Sequence, residues 1–336
     1  MNKVLVIRYG TIGDNIFASA FYRELRKAQP KALISILADD ITKGIMEDCP
    51  YINNIIEIKG KYKNILNYIS IFRNYDTVFF LKNDRFFTMV AFLAGIKNRI
   101  GFDIPRNIGL TMTSPYNEDR HEIDCYLELL KLSGITAKDN NTEVWIAKKT
   151  DITKNIQVKK VVIHAYSRFT AKNWIDKYWC EVIRNISESF EFQVFFTGSA
   201  KDTPRYQNLI TQLGSKLKYP PIDTSGRLSV TETMALVRDS DFVISVDSGI
   251  IHISAALEIP SILLHGSTSL KRWRPRGKNC TVLTKNFPCS PCCLQTGSKK
   301  LCKKKMPECM KALTPDIVIN QLYLQFRKEA VHKNIK

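Results

Sequence analysis

Short apolar, β-branched runs alternate with longer stretches whose apolar positions return every third or fourth residue, and this rhythm organises the chain. Val4 to Ile7 predicts a buried strand, since an unbroken apolar run of that length suits a strand covered on both faces. Ile16, Phe17, Ala20, Phe21 and Leu25 repeat near a period of 3.6 and predict an amphipathic helix. Further strands are expected at Ala32 to Leu37, Ile55 to Ile58 and Thr77 to Leu81. Helices are expected at Ile65 to Phe72, Phe86 to Ala94 and His121 to Leu132, the last ended by Gly134. Arg99 to Phe102 reads as a short strand or a turn. Strand alternating with helix implies right-handed crossovers and a parallel sheet.

From Thr136 to Gln157 the chain turns polar and rich in Lys and Asn, which marks a domain boundary, and the rhythm then restarts. Strands are expected at Val161 to His164, Gln193 to Thr197, Phe242 to Val246 and Ser261 to Leu264. Helices are expected at Lys177 to Phe190, Thr203 to Leu213 and from a Ser229 cap to Arg238. The fold class is therefore α/β, with residues 1–155 and 156–313 as two Rossmann-like domains. A last helical pattern, Pro315 to Lys328, places residues 314–336 in a helix expected to return to the first domain. At 336 residues and 44% hydrophobic, the chain can bury two cores.

Charge narrows the partners. Lys and Arg number 50 against 32 Asp and Glu, a balance of +18 that predicts an acidic partner. Nucleic acid, an anionic membrane surface and a phosphorylated glycolipid on it all satisfy that demand, and so does a genome that merely enriches Lys. Without an RNP-like aromatic strand, a helix-turn-helix signature or repeats, a nucleic-acid-binding protein ranks low. No secretory apolar segment opens the chain, and no apolar run approaches the roughly 18 to 20 residues of a spanning helix. These features predict a soluble, cytoplasmic protein.

Candidate chemistry gathers at three places. The run Phe242 to Val246 stops at Asp247-Ser248-Gly249, where a helix pattern begins. A strand, a tight turn and a helix start form the arrangement in which parallel sheets hold anions, because amides of the first helical turn lack partners within the helix. Asp247 or Ser248 serves equally as a helix cap. After the first strand, Arg8 to Asp14 carries Gly10 and Gly13 without the G-x-G-x-x-G spacing of a dinucleotide fingerprint. Of nine cysteines, Cys49, Cys125 and Cys180 sit singly in apolar patterns and read as core. The other six follow residue 279, among them Cys289-Ser-Pro-Cys292, Cys302 and Cys309. A reducing compartment disfavours disulfides, and a C-x-x-C knuckle with two further thiols has the character of a structural zinc or iron site. Lys299 to Lys305 adds a basic loop suited to phosphates or lipid headgroups.

The order Arg8-Tyr-Gly-Thr-Ile-Gly-Asp14, then His164 to Lys172-x-Trp174, then Asp247-Ser248-Gly249-x-x-His252 with Gly266-x-Thr268 and Trp273-x-Pro275, resembles the ADP-heptose:lipopolysaccharide heptosyltransferases, glycosyltransferase family 9. The resemblance implies a GT-B architecture, two Rossmann-like domains facing across a cleft. It implies an inverting enzyme, metal-independent in catalysis, moving heptose from ADP-heptose to a lipopolysaccharide inner-core acceptor at the inner membrane surface. Asp14 matches the family's general base, and Lys172 the cation that neutralises the leaving diphosphate. Ser167, Asp202, Asp247, Ser248, Gly249 and His252 match donor-binding positions. Ordinary readings stand beside these: Asp14 and Asp202 as helix caps, Ser167 as a loop serine and His252 as a packed histidine. A related GT-B enzyme using another nucleotide sugar or a protein acceptor is the alternative.

Overall fold

The computed structural model describes residues 1–104, 109–148, 150–292, 302 and 306–333, with side chains through Phe326. Two compact units result: Met1–Ala147 with Lys271–Arg276, and Lys148–Leu270 with Gly277–Lys336.

The first unit runs β1 (Lys3–Ile7), α1 (Ile12–Ala28), β2 (Leu33–Ala38), α2 (Asp40–Met46), β3 (Asn54–Glu57) and α3 (Ile65–Phe72). It continues with β4 (Thr77–Phe80), α4 (Arg85–Leu93), β5 (Asn98–Asp103), β6 (Met112–Pro115) and α5 (Glu122–Leu132). All pairings are parallel, in the order β3-β2-β1-β4-β5-β6. Val4 to Ile7 and Val78 to Phe80 are fully buried at the centre, as their unbroken apolar runs predict. Two elements escape the periodicity. The helix α2 is short and starts on Asp39, whose carboxylate accepts from Thr42 N at 2.9 Å. The strand β6, Met-Thr-Ser-Pro, is a polar edge strand closed by a proline.

A short excursion from later in the chain completes this unit. The Arg272 guanidinium pairs with the Glu122 carboxylate, both buried, and donates to Asn117 O at 3.0 Å. Trp273 stacks on Phe17, with centroids 6.0 Å apart, while Arg274 O meets His121 Nε2 at 2.8 Å. The Trp273-x-Pro275 motif is thus an anchor of residues 271–276 in the first unit.

The second unit runs β7 (Lys159–His164), α6 (Asp176–Ser189), β8 (Phe192–Phe196), α7 (Thr203–Leu213), β9 (Ile222–Asp223), α8 (Val230–Arg238) and β10 (Phe242–Val246). Then come α9 (Gly249–Ala256), β11 (Ser261–His265), β12 (Cys280–Thr284), α11 (Glu308–Lys311) and α12 (Pro315–Lys333), while α10 (Leu270–Trp273) between β11 and β12 opens the excursion of residues 271–276 into the first unit. Its parallel sheet is ordered β12-β11-β10-β7-β8-β9. Counted within each unit, both sheets share one topology, with the first and fourth strands adjacent at the centre. Ser229 begins α8 in a full capping box with Glu232.

The last helix contributes to the second unit's core. Val318, Leu322 and Phe326 of α12 are buried in the second unit's core, where the Phe326 ring lies 4.7 Å from Phe192 and 5.2 Å from Phe242. Trp174 Nε1 donates to Leu313 O at 2.8 Å just ahead of it. Thus α12 packs its described buried side chains in the second unit's core. Its apolar stripe fits the groove beside α6, a match that helical periodicity cannot specify.

Candidate functional site

In open parallel sheets ligands collect outside the carboxyl ends of the strands where the strand order reverses. In the second unit that point lies between β7 and β10, and the loops leaving these two strands carry most of the donor-site candidates. Asp247 follows β10 and is buried. Ser248 caps α9 from an extended backbone (φ −152°), its Oγ accepting from Ile250 N at 3.3 Å and lying 3.1 Å from Ser245 Oγ. Gly249 opens the helix, and His252 lies buried one turn later.

Lys172, in a tight turn over Thr170–Lys172 after β7, brings Nζ to 2.8 Å from Asp247 Oδ2. Thr268 Oγ1 donates to that same oxygen at 2.6 Å. His265 Nε2 lies 3.0 Å from Thr268 Oγ1, and its Nδ1 3.4 Å from Thr284 Oγ1. Since the Thr268 hydroxyl is spent on Asp247, the network assigns the imidazole proton to Nε2. Burial would raise the Asp247 pKa, but the Lys172 charge and the hydrogen bonds from Lys172 and Thr268 prevail and hold it at about 2. Burial pushes His265 the other way, below its ordinary value. The outcome is an ionised carboxylate fixing a lysine ammonium beside a helix start. Thr268 and His265 were missed as individual residues, although Gly266-x-Thr268 stood out as a motif.

The remaining donor-site candidates have local partners. Ser167 N donates to Asn173 Oδ1 at 2.6 Å, and its Oγ accepts from Phe169 N at 3.4 Å. Asp202 Oδ2 accepts from Ser199 N at 2.8 Å and Ser199 Oγ at 2.7 Å, closing the turn ahead of α7.

In the first unit the corresponding point lies between β1 and β4. The helix α1 begins at Ile12 with Thr11 as its cap residue, so Asp14 is the third residue of the helix and not its cap. Asp14 Oδ2 pairs with the buried Arg8 guanidinium and accepts from Thr11 Oγ1 at 2.5 Å. Beside it Lys82 Nζ donates to Tyr9 O at 3.1 Å and sits 3.7 Å above the Tyr9 ring. A Cβ on Gly10 would meet that nitrogen at 3.3 Å, and the φ of +114° there also calls for glycine. Burial, and then the nearby Arg8 charge, lower the Lys82 pKa. Lys61 Nζ pairs with Asp84 and donates to Tyr9 OH at 3.1 Å, and Tyr9 OH in turn donates to Asp84. Lys61 and Asp84 were not singled out from sequence, since nothing local marks them as neighbours, and Arg8 stood there only as the first residue of the Arg8 to Asp14 motif. Of the other cations in the later loops of this unit, Arg99 donates to Gly109 O and Ile96 O, Arg85 is exposed, and Arg106 lies outside the described residues.

Part of the cysteine-rich segment lies against the loop after β11. Cys292 N donates to Ser267 O at 2.9 Å, and Ser290 Oγ to Gly266 O at 2.5 Å. Cys309 Sγ lies 2.7 Å from the place a Gly266 Cβ would take. Burial raises the Cys309 thiol pKa, and the proximity of Cys289 and Cys302 adds to it. Among the described residues, no group of three or more His, Cys, Asp or Glu is arranged to hold a metal ion. Residues 299–301 and 303–305 of the basic loop lie outside the described residues.

Comparison with known proteins agrees with this geometry. The family described as glycosyltransferase family 9 (heptosyltransferase) matches residues 70–303. Lipooligosaccharide heptosyltransferase 2 of Campylobacter jejuni subsp. jejuni serotype O:2 is 23% identical over 320 residues, covering 92% of this chain and 94% of its own. The structure of E. coli ADP-heptose lps heptosyltransferase II superposes with a TM-score of 0.80 at 20% identity, over 98% of this chain and 99% of its own. TibC, an iron-containing dodecameric glycosyltransferase from enterotoxigenic E. coli H10407, matches with a TM-score of 0.60 at 16% identity, over 97% and 77%.

Proposed function

The chain belongs to glycosyltransferase family 9, and from that premise we propose that it transfers heptose from ADP-heptose to an anionic lipopolysaccharide inner-core acceptor, inverting the anomeric carbon without a catalytic metal. One observation carries the donor half: the Lys172–Asp247 pair beside the α9 start, at the switch point of the second sheet. A diphosphate there meets an ammonium already in place and helix amides with no intrahelical partner. Asp14, ionised beside Arg8, takes the proton of the acceptor hydroxyl as that oxygen attacks the anomeric carbon. The bond from the anomeric carbon to the diphosphate oxygen breaks as the new one forms, and ADP leaves with the electron pair. Its added charge falls on Lys172 and the α9 amides, which stabilise the transition state more than the ground state. With no covalent sugar–enzyme intermediate, the configuration inverts. Ser248, Gly249 and His252 line the phosphate side in this reading, and Ser167 and Asp202 contribute from the loops after β7 and β8.

Donor choice is the test, because the sugar's identity rests on a few contacts. ADP-heptose should raise the melting temperature of the purified protein more than UDP-, GDP- and other ADP-sugars at equal concentration. A larger shift with another nucleotide sugar would move the chain to a different donor within the same fold.

The reading includes a structural metal, zinc or iron, held by Cys289, Cys292, Cys302 and Cys309. The electrostatic influence of Cys289 and Cys302 on Cys309 supports it, and so does the chemistry of a four-thiol donor set. Protein purified without added metal should carry about one zinc or iron per chain. Cys289→Ser or Cys302→Ser should release it and lower the melting temperature, whereas Cys49→Ser should leave the metal content unchanged. Metal-free protein of undiminished stability removes the metal from the reading. Peripheral attachment to the cytoplasmic face of the inner membrane completes the proposal, supported by the +18 charge and by the absence, among the described residues, of any helix long and apolar enough to cross a membrane.

A further inference from the structure

Apart from Leu33 and Ile41, the exposed large apolar side chains described in the first unit belong to α3, α4 and the residues just before α3. Tyr62 is 73% exposed and Leu66 79%, just before α3 and in its first turn; Met89, Phe92 and Leu93 on α4 are 43%, 57% and 49% exposed. The two helices pack together through Tyr68, Phe86 and Phe87, and the Tyr62 ring lies 5.0 Å from Phe86. Phe86, Met89, Phe92 and Leu93 follow one another at helical i+3 and i+4 spacing, so the exposed side chains form one surface. This surface is apolar by design of the sequence, since α4 buries a different face through Phe87, Val90 and Ala91.

The segments that carry it are basic. Between Glu57 and Asp76 the chain carries Lys59, Lys61, Lys63 and Arg73 and no carboxylate; between Asp84 and Asp103 it carries Arg85, Lys97 and Arg99 and none. Lys59, Lys63, Arg73, Arg85 and Lys97 are exposed. Lys59 shares its charge with Glu57 at 3.2 Å and Lys61 with Asp84, while the remaining cations outnumber carboxylates along both segments. An apolar face carried on such basic segments suits an anionic bilayer, where rings and alkyl chains enter the headgroup boundary and ammonium groups meet lipid phosphates. Lys61 ties this face to the Asp14 loop, because its nitrogen sits on Asp84 and Tyr9 OH.

We propose that the α3–α4 face of the first unit is the membrane-docking surface, seating the chain on anionic phospholipid with Leu66, Phe92 and Leu93 inserted and Lys59, Lys63 and Arg85 on headgroups. This deepens the functional reading and rests on its lipid-anchored acceptor. It also moves the contact from the Lys299 to Lys305 loop to a pair of helices.

The test uses the full-length protein and vesicles of phosphatidylglycerol with phosphatidylethanolamine, against vesicles of phosphatidylcholine alone. The parent should partition onto the anionic vesicles, and Leu66→Ala/Phe92→Ala/Leu93→Ala should reduce that partition at least tenfold at any salt concentration. Lys59→Ala/Lys63→Ala/Arg85→Ala should reduce it at low salt and flatten its salt dependence. Phe92→Trp should shift its emission to the blue on anionic vesicles only. In transfer assays the triple alanine variant should match the parent on a delipidated, water-soluble acceptor and lag on acceptor embedded in vesicles. Partition unchanged by both triple variants overturns the proposal. So does a concentration-dependent dimer that the apolar variant abolishes while the parent ignores vesicles, which would make the face a contact between copies. If docking behaves as expected but no acceptor receives heptose, the surface stands and the functional reading fails.

Discussion

Asp14→Asn should lower the rate of transfer by roughly 10²- to 10⁴-fold, the range for losing a general base, with donor binding retained. The structure sharpens what this variant measures. Asp14 is the third residue of α1 and no side-chain cap is formed at Thr11, so the substitution removes no cap. An amide keeps an oxygen for the Thr11 hydroxyl, which now lies 2.5 Å away, but surrenders the charge facing Arg8. Arg8 is only 4% exposed, so its guanidinium loses a buried ionic partner and stability should fall by on the order of 2 kcal/mol. Transfer must therefore be measured at a temperature where the variant is fully folded. The melting shift produced by ADP-heptose then reports donor binding separately. A general base that must be ionised also gives the parent an acidic limb in its pH–rate profile, which Asp14→Asn should lack. A folded variant that binds donor and transfers at the parental rate, limb intact, leaves Asp14 a partner of Arg8 and nothing more.

Why some of this was legible in sequence and some not follows from the range of the forces involved. Val4 to Ile7 and Phe242 to Val246 announce themselves because a parallel strand buried on both faces must be apolar throughout. Asp247-Ser248-Gly249 announces itself because a strand-to-helix turn needs a cap and a small residue within three positions. The edge elements do not: β6 and β12 are only partly buried, so little apolar patterning is required of them. Long-range pairings are silent in a single chain. Nothing near Glu122 in sequence points to Arg272, and nothing near Lys61 points to Tyr9. The part of α12 that enters the second core is silent for the same reason. Val318, Leu322 and Phe326 state that one face must be buried, not which core receives it. In the donor loops sequence named Lys172 and Asp247 separately, and only the fold shows that each determines the other's electrostatics.

That coupling makes Lys172 the second position where a large effect is expected, and it gives two effects to be told apart. Lys172→Ala removes the cation proposed to receive the leaving diphosphate, which should slow transfer by roughly 10²- to 10³-fold. It also strands Asp247, whose buried carboxylate is left with the Thr268 hydroxyl at 2.6 Å. In the parent, Asp247 is held at about 2, below the usual carboxylate value. Such a group stabilises the fold fully above roughly pH 4, its unfolded value, and that contribution is lost as pH falls toward 2. Without Lys172, burial prevails and the pKa rises, so at neutral pH the variant forfeits the stabilisation and bears an unpaired buried charge, a cost of about 3 kcal/mol. The gap between parent and variant should be widest near neutrality and close as acid protonates Asp247 in both. Lys172→Met/Asp247→Asn separates the roles: neutralising both partners should restore most of the stability and none of the turnover. Denaturant melts at pH 7 and pH 4, beside single-turnover transfer rates, supply the two readouts. If the double variant recovers transfer along with stability, Lys172 acts only by holding Asp247, and the charge on the leaving diphosphate must be met by another group.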